Sequence, residues 1–209
     1  MFANDSLQFY GEVMTESGPT ITPTPHQLRA LTHPVRLRML GLLRVDGPAT
    51  ATSLATRLGL NSGATSYHLR QLAQHGFVVD DAERGNGRER WWRAAHTSTR
   101  TDTGLGESDE EVADTLDAYL QTVVTIYTEW MQRAIEERPL LPQAWRDAST
   151  FSDWGPRLSP ASAQALLDRI DEVIRDFPDD DAEDAEKYVL MVSGFVRPGR
   201  VGVEGEDAS

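Results

Sequence analysis

Apolar residues in the first half of the chain recur in short blocks at helical spacing. Thr24-Pro25-His26-Gln27 combines an N-cap threonine, a proline at the first helical position and a glutamine three residues after the cap. This predicts a short helix to about Leu31. Pro34 restarts a helix whose apolar face is Val35, Leu37, Met39, Leu40, Leu42 and Leu43, and Asp46-Gly47-Pro48 stops it. A third helix is predicted from Ala51 to Leu58. A Gly59-Leu60-Asn61 turn follows, then a fourth helix from Ser62 to about His75, ended by Gly76. Two helices meeting steeply through a three-residue turn need a small residue at the crossing and a permissive one in the turn; Ala55 and Gly59 supply them. Leu54, Leu58, Leu60, Leu69 and Leu72 then face a common core.

The period changes after Gly76. Phe77 to Asp81 and Arg88 to Arg93 read as two strands joined by Ala82 to Gly87, where Gly85-Asn86-Gly87 tolerates positive φ. Trp91 and Trp92 alternate across the second strand, so at most one faces the core. A helix-turn-helix followed at once by a hairpin with an arginine-bearing tip is a winged helix-turn-helix.

The second half is patterned differently. Ser108-Asp109-Glu110-Glu111 reads as a capping box opening a long helix to about Arg138, before Pro139. Along it Val112, Leu116, Tyr119, Leu120, Val123, Tyr127, Trp130, Met131 and Ala134 form one wide apolar stripe. Dimerisation is the expected use of that stripe, and core packing within one subunit is the alternative. Ala148 to Arg157 reads as a strand or aromatic loop, Ser159-Pro160 caps a helix through about Asp176, and Lys187 to Val196 is the strongest strand pattern in the chain. The expected fold class is mainly α with a small β component (α+β). An N-terminal arm (1–24) would precede a winged helix-turn-helix (25–96). The polar stretch 97–106 would form the boundary to an acidic dimerisation or effector domain (107–198), and 199–209 a tail.

Charge sharpens that division. The 209 residues carry a formal charge of −13, which taken alone argues against a nucleic-acid partner. Residues 26–96, however, hold ten arginines and five acids, while 97–209 hold ten cationic residues and 25 acids. A basic module attached to an acidic one points to a nucleic-acid reader in the first half. The absence of cysteine excludes disulfides, thiol catalysis, Fe–S clusters and cysteine-ligated zinc. No apolar run approaches a bilayer span, and the N-terminus shows no secretory signal, so a cytoplasmic chain without a membrane partner is expected.

Residues 28–93 resemble the ArsR-type winged helix-turn-helix of bacterial transcription regulators. The resemblance is carried by LRALTHPVRLRMLGLL (28–43), SLATRLGLNSGATSYHLRQLAQHGFV (53–78) and GRERWWR (87–93), about a third of the chain. It implies a DNA-binding homodimer that controls transcription, commonly as an effector-released repressor. The residues expected at double-stranded DNA are Asn61, Ser62, Gly63, Ser66, Tyr67 and Arg70 on the fourth helix, with Arg84, Arg88 and Arg90 on the wing. His68, one place before Leu69, is expected to be a partly buried structural histidine.

Trp130, Trp145, Phe151, Trp154 and Phe195 are candidates to line a pocket for a small apolar effector, with aromatic core or interface as the alternative. Soft-metal sensing is disfavoured, because residues 97–209 contain neither cysteine nor histidine. The acidic run Asp179–Asp184 lacks the spacing of a known cation loop, so no metal and no cofactor are expected. No P-loop, nucleophile elbow or catalytic triad is visible, and no enzymatic activity is expected. The alternative to operator reading is a winged-helix interaction or scaffold module.

Overall fold

A computed structural model of the chain describes residues 19–84, 89–102, 104–105 and 109–199. They fall into two compact units, one ending at Ser149 and the other beginning at Thr150. The fold is α+β, a winged helix-turn-helix followed by a largely helical region.

In the first unit the helices are α1 (Pro25–Leu31), α2 (Pro34–Val45), α3 (Ala51–Leu58) and α4 (Ser62–Gln74). The starts follow from local chemistry. Thr24 and Gln27 form the expected capping box on α1, the His33 ring accepts from the Val35 N–H at α2, and Thr50 caps α3 reciprocally with Ser53. Between α3 and α4, Gly59 takes the left-handed conformation at φ 65°, and the Leu60 N–H returns to the Ala55 carbonyl at 2.9 Å. That bond closes the α3 C-terminus and turns the chain into α4.

Strands β3 (Val78–Asp80) and β4 (Trp91–Ala94) pair antiparallel, with Val79 opposite Arg93. Hydrogen bonds from Ala95 N to the Phe77 carbonyl and from Asp81 N to the Trp91 carbonyl, both 2.9 Å, extend the hairpin at each end. The second arm therefore starts at Trp91 rather than at Arg88, which lies with Gly85, Asn86 and Gly87 outside the described residues. The short strand β2 (Ala49–Thr50) adds to the other side of β4, giving the order β2-β4-β3. Of the two tryptophans Trp92 is buried and Trp91 half-buried.

The core joins Leu28 and Leu31 of α1, Met39, Leu40 and Leu43 of α2, Leu54, Leu69, Leu72, Phe77 and Trp92. It also takes in residues expected to serve dimerisation. Helix α5 (Glu110–Glu137) buries Leu116, Tyr119, Thr122 and Ile126 inside its own subunit. The Thr122 hydroxyl donates to the Thr32 carbonyl at 3.1 Å, and Trp130 lies against Gly41, where an added Cβ would meet the indole at 3.2 Å. Of the stripe, Leu116 and Tyr119 are thus core, and Leu120 and Val123 pack against it half-buried. Towards its end Met131 and Ile135 are exposed. The cap of α5 is Asp109, whose Oδ1 accepts from Glu111 N and Val112 N; Ser108 lies outside the described residues.

Segment 97–106, read from the sequence as a boundary, lies within this unit. There β5 (Ser98–Thr99) pairs parallel with β1 (Thr20–Ile21). Arg44 clamps the same stretch by donating to the His96 and Ser98 carbonyls (3.0 and 3.3 Å) and to the Thr99 hydroxyl (2.9 Å). Burial pushes the Arg44 pKa down to about 10, with Tyr119 and Tyr127 opposing the shift. After α5 a single 3-10 turn and helix α6 (Gln143–Asp147) lead to Ser149.

The second unit carries helix α7 (Pro160–Asp176), capped by Ser159 as expected. Ala148–Arg157 is not a strand but helix cap and loop, and Lys187–Val196 belongs to neither sheet. Strand propensity reports how well side chains suit a pleated surface. It produces a strand only where a neighbouring backbone accepts the ladder, and the described part of this unit offers none.

Candidate nucleic-acid interface

Helix α4 presents the residues expected to meet DNA. Asn61 Oδ1 caps it by accepting from Ala64 N at 2.8 Å, and the buried Thr65 hydroxyl donates back to the Asn61 carbonyl at 3.0 Å. An added Cβ at Gly63 would crowd the Asn61 side-chain oxygen at 3.3 Å, so the small residue preserves the cap. Asn61, Ser62, Gly63, Tyr67 and Arg70 are exposed and Ser66 half-buried, whereas Thr65, Leu69 and Leu72 face the core. The buried stripe locks the helix rotation and the outward face follows from it.

Ser66 and Arg70 open into a cleft of about 390 Å³ between α4, the start of α3 and the wing. Its other walls are Thr50, Ala51 and Thr52 on one side and Glu89, Arg90 and Trp92 on the other. The contribution of the α3 N-terminus and of Glu89 was not anticipated from the sequence. The legible signal was the N-cap at Thr50; the carboxylate facing Arg70's cleft had been counted only as charge.

The arginines are unequal. Arg29 pairs with Glu111 and Arg38 with Glu129, both at 2.5 Å, so α5 carboxylates neutralise two cations of the basic module. Arg57 pairs with Asp46 at 2.5 Å, and Arg44 is half-buried and held by the carbonyls of His96 and Ser98. On the wing Arg90 pairs with Asp80 at 2.6 Å while its guanidinium lies 4.2 Å over the Trp92 ring, and Arg84 pairs with Asp81 at 3.4 Å. Exposed pairs of this kind are worth about 0–1 kcal/mol and open readily toward a phosphate. Arg70 and Arg93 are exposed and pair with no described carboxylate. One of these, Arg70, lies on the recognition helix and the other, Arg93, on the wing strand β4.

Beneath α4, His68 stacks tilted on His33 at 4.6 Å, and its Nδ1 is buried with no partner among the described residues. Burial, then His33 and Arg36, hold its pKa below the ordinary imidazole value of 6.5; His33 and His96 are lowered as well, chiefly by burial. As pH falls through that range the unfolded chain takes up protons that the folded domain resists, so stability is full above it and declines below. Replacing His68 with glutamine should flatten the decline in melting temperature between about pH 7 and pH 5. An unchanged pH slope in H68Q would show that this imidazole does not titrate as placed. Among the described residues no group of three or more acidic or histidine side chains is arranged to hold a metal ion.

The candidate effector aromatics divide between the units. Trp130 and Trp145 are half-buried in the first. Phe151, Trp154 and Phe195 belong to the second, where they are 56%, 82% and 80% exposed. Side chains that open to water do not wall an enclosed cavity, so their placement lends no support to an effector pocket there. No described helix is long and apolar enough to cross a membrane.

The geometry of α3, its left-handed turn and α4 agrees with comparison to known families. Residues 31–80 match the helix-turn-helix domain family. This stretch is a helix-turn-helix domain. It spans α2, α3, α4 and β3, the elements that carry the outward face described above. Among solved structures the chain is similar to reduced HlyU from Vibrio cholerae N16961. The sequence identity is 24%, the match covers 43% of this chain and 77% of that one, and the TM-score is 0.30. No curated protein sequence matches the chain.

Proposed function

We propose that the chain is a homodimeric, sequence-specific DNA-binding regulator of transcription, acting as a repressor of the ArsR-like kind. The observation that carries this reading is the exposed α4 face. Ser62, Tyr67 and Arg70 project from a well-capped helix whose opposite side is fixed in the core, and Arg70 forms no ion pair with a described carboxylate although Glu89 lines the same cleft. Placed in a major groove, that helix would read base edges, while the α3 N-terminus and the wing arginines would meet phosphates. Arg84 and Arg90 would exchange Asp81 and Asp80 for phosphate on binding.

Pairing of Arg84 and Arg90 with acids favours one second reading, a winged-helix interaction module. A nuclease footprint on the promoter of the chain's own gene separates the two. The regulator gives protection over two half-sites about 10 bp apart, centre to centre. Absence of any protected site in the neighbouring DNA supports the module.

A further inference from the structure

We propose that Glu89 is a specificity-determining residue that acts with Arg70 to select one G·C base pair in each half-site. Arg70 takes the acceptor edge of the guanine, and Glu89 takes the amino group of the cytosine paired with it. The assignment rests on the DNA-binding reading above and names the base pair that the α4 face addresses. Glu89 lies just before β4 and lines the cleft that Ser66 and Arg70 of α4 open into. The acids of the wing differ in what they do. Asp80 holds Arg90 at 2.6 Å and Asp81 holds Arg84 at 3.4 Å. Glu89 is exposed and pairs with no described cation, although Arg70 and Arg90 share its cleft. Arg90 is committed elsewhere, to Asp80 and to the face of the Trp92 ring. One uncommitted guanidinium and one uncommitted carboxylate therefore open into the same cleft.

That combination suits a base pair better than a backbone. Phosphate oxygens only accept, and an ionised carboxylate only accepts, so the two repel. Across the major groove a G·C pair presents two acceptors, guanine N7 and O6, and then a donor, the cytosine N4 amino group. A guanidinium meets the two acceptors with parallel N–H groups, and a carboxylate beside it accepts from the amino group. An A·T pair presents acceptor, donor, acceptor, which splits the two positions a guanidinium fork needs. The same carboxylate works against sites that lack the pair. There it faces phosphate oxygens with no donor to satisfy it, a repulsive element that widens discrimination.

The test uses the full-length protein and duplexes carrying the footprinted promoter site of its own gene, with each base pair replaced in turn. The unaltered protein should favour G·C over the other pairs by about fivefold or more at one position per half-site. Arg70→Ala and Glu89→Ala should each abolish that preference, and at the same position. Glu89→Gln, whose amide oxygen still accepts a hydrogen bond, should retain part of it. Glu89 is exposed, so helical circular dichroism should be the same in both Glu89 variants and the unaltered protein. If E89A tightens binding to every duplex alike and leaves the base preferences intact, Glu89 is a surface charge only. That result overturns the assignment and leaves the DNA-binding reading standing. A preference lost in E89A at a different position from the one lost in R70A overturns it as well. An unaltered protein that binds no duplex at low salt overturns both.

Discussion

Replacing Phe77 with alanine is expected to lower the unfolding free energy by about 3–5 kcal/mol. Phe77 is among the largest fully buried side chains and sits where α4 ends and the wing begins. Its N–H bonds to the Leu72 carbonyl at 2.9 Å and its own carbonyl accepts from Ala95 at 2.9 Å. The ring therefore anchors the recognition helix and both wing arms to one core. Truncation removes the transfer free energy of the ring and leaves a void that fixed backbone on three sides cannot collapse to fill. Domains of this size hold about 5–15 kcal/mol in total, so the variant should unfold at markedly lower urea, read by circular dichroism. A change below about 0.5 kcal/mol would place Phe77 outside the core.

The second large effect concerns DNA. Arg70→Ala should weaken binding to the specific site by about 1–3 kcal/mol, or roughly 5- to 150-fold, and relax discrimination between sequences. Arg84→Ala should weaken specific and scrambled DNA alike and by less, because that guanidinium must first leave Asp81. Competition binding at fixed salt distinguishes the outcomes. Equal losses on both DNAs for both variants would remove Arg70 from any role in reading sequence.

The first unit was largely legible because its signals are local. Thr24, Pro34, Gly59 and Asn61 each fix a helix end through bonds within a few residues, and the leucine spacing gives the buried faces. The cleft beside Arg70 was not legible, since Thr52 and Glu89 meet it only through the pairing of β2 with β4. Nor was the use of the α5 stripe. Periodicity shows that Leu116 and Tyr119 share a face but not whether the covering surface belongs to the same chain, and here α1 and α2 provide it.

The charge totals needed the same correction. The basic excess of residues 26–96 is real, but Glu111 and Glu129 of α5 neutralise Arg29 and Arg38 from outside that segment. Arg70 on α4 and Arg93 on β4 remain without a described carboxylate partner. Lys187–Val196 failed as a strand for the converse reason. Its pattern is strong, but a ladder is a property of two segments, and one strand's residues do not name the other.

The central claim is that the α4 face reads DNA. Its most direct test is the affinity of the purified chain for its promoter site and for a scrambled duplex across a salt series. The account predicts a log–log slope of about −4 to −8 per dimer on both DNAs, from a small set of free and exchangeable arginines. At each salt concentration the promoter site should be bound at least about 10³-fold more tightly than the scrambled duplex. No binding to either duplex at low salt, or equal affinity for both throughout, would contradict it.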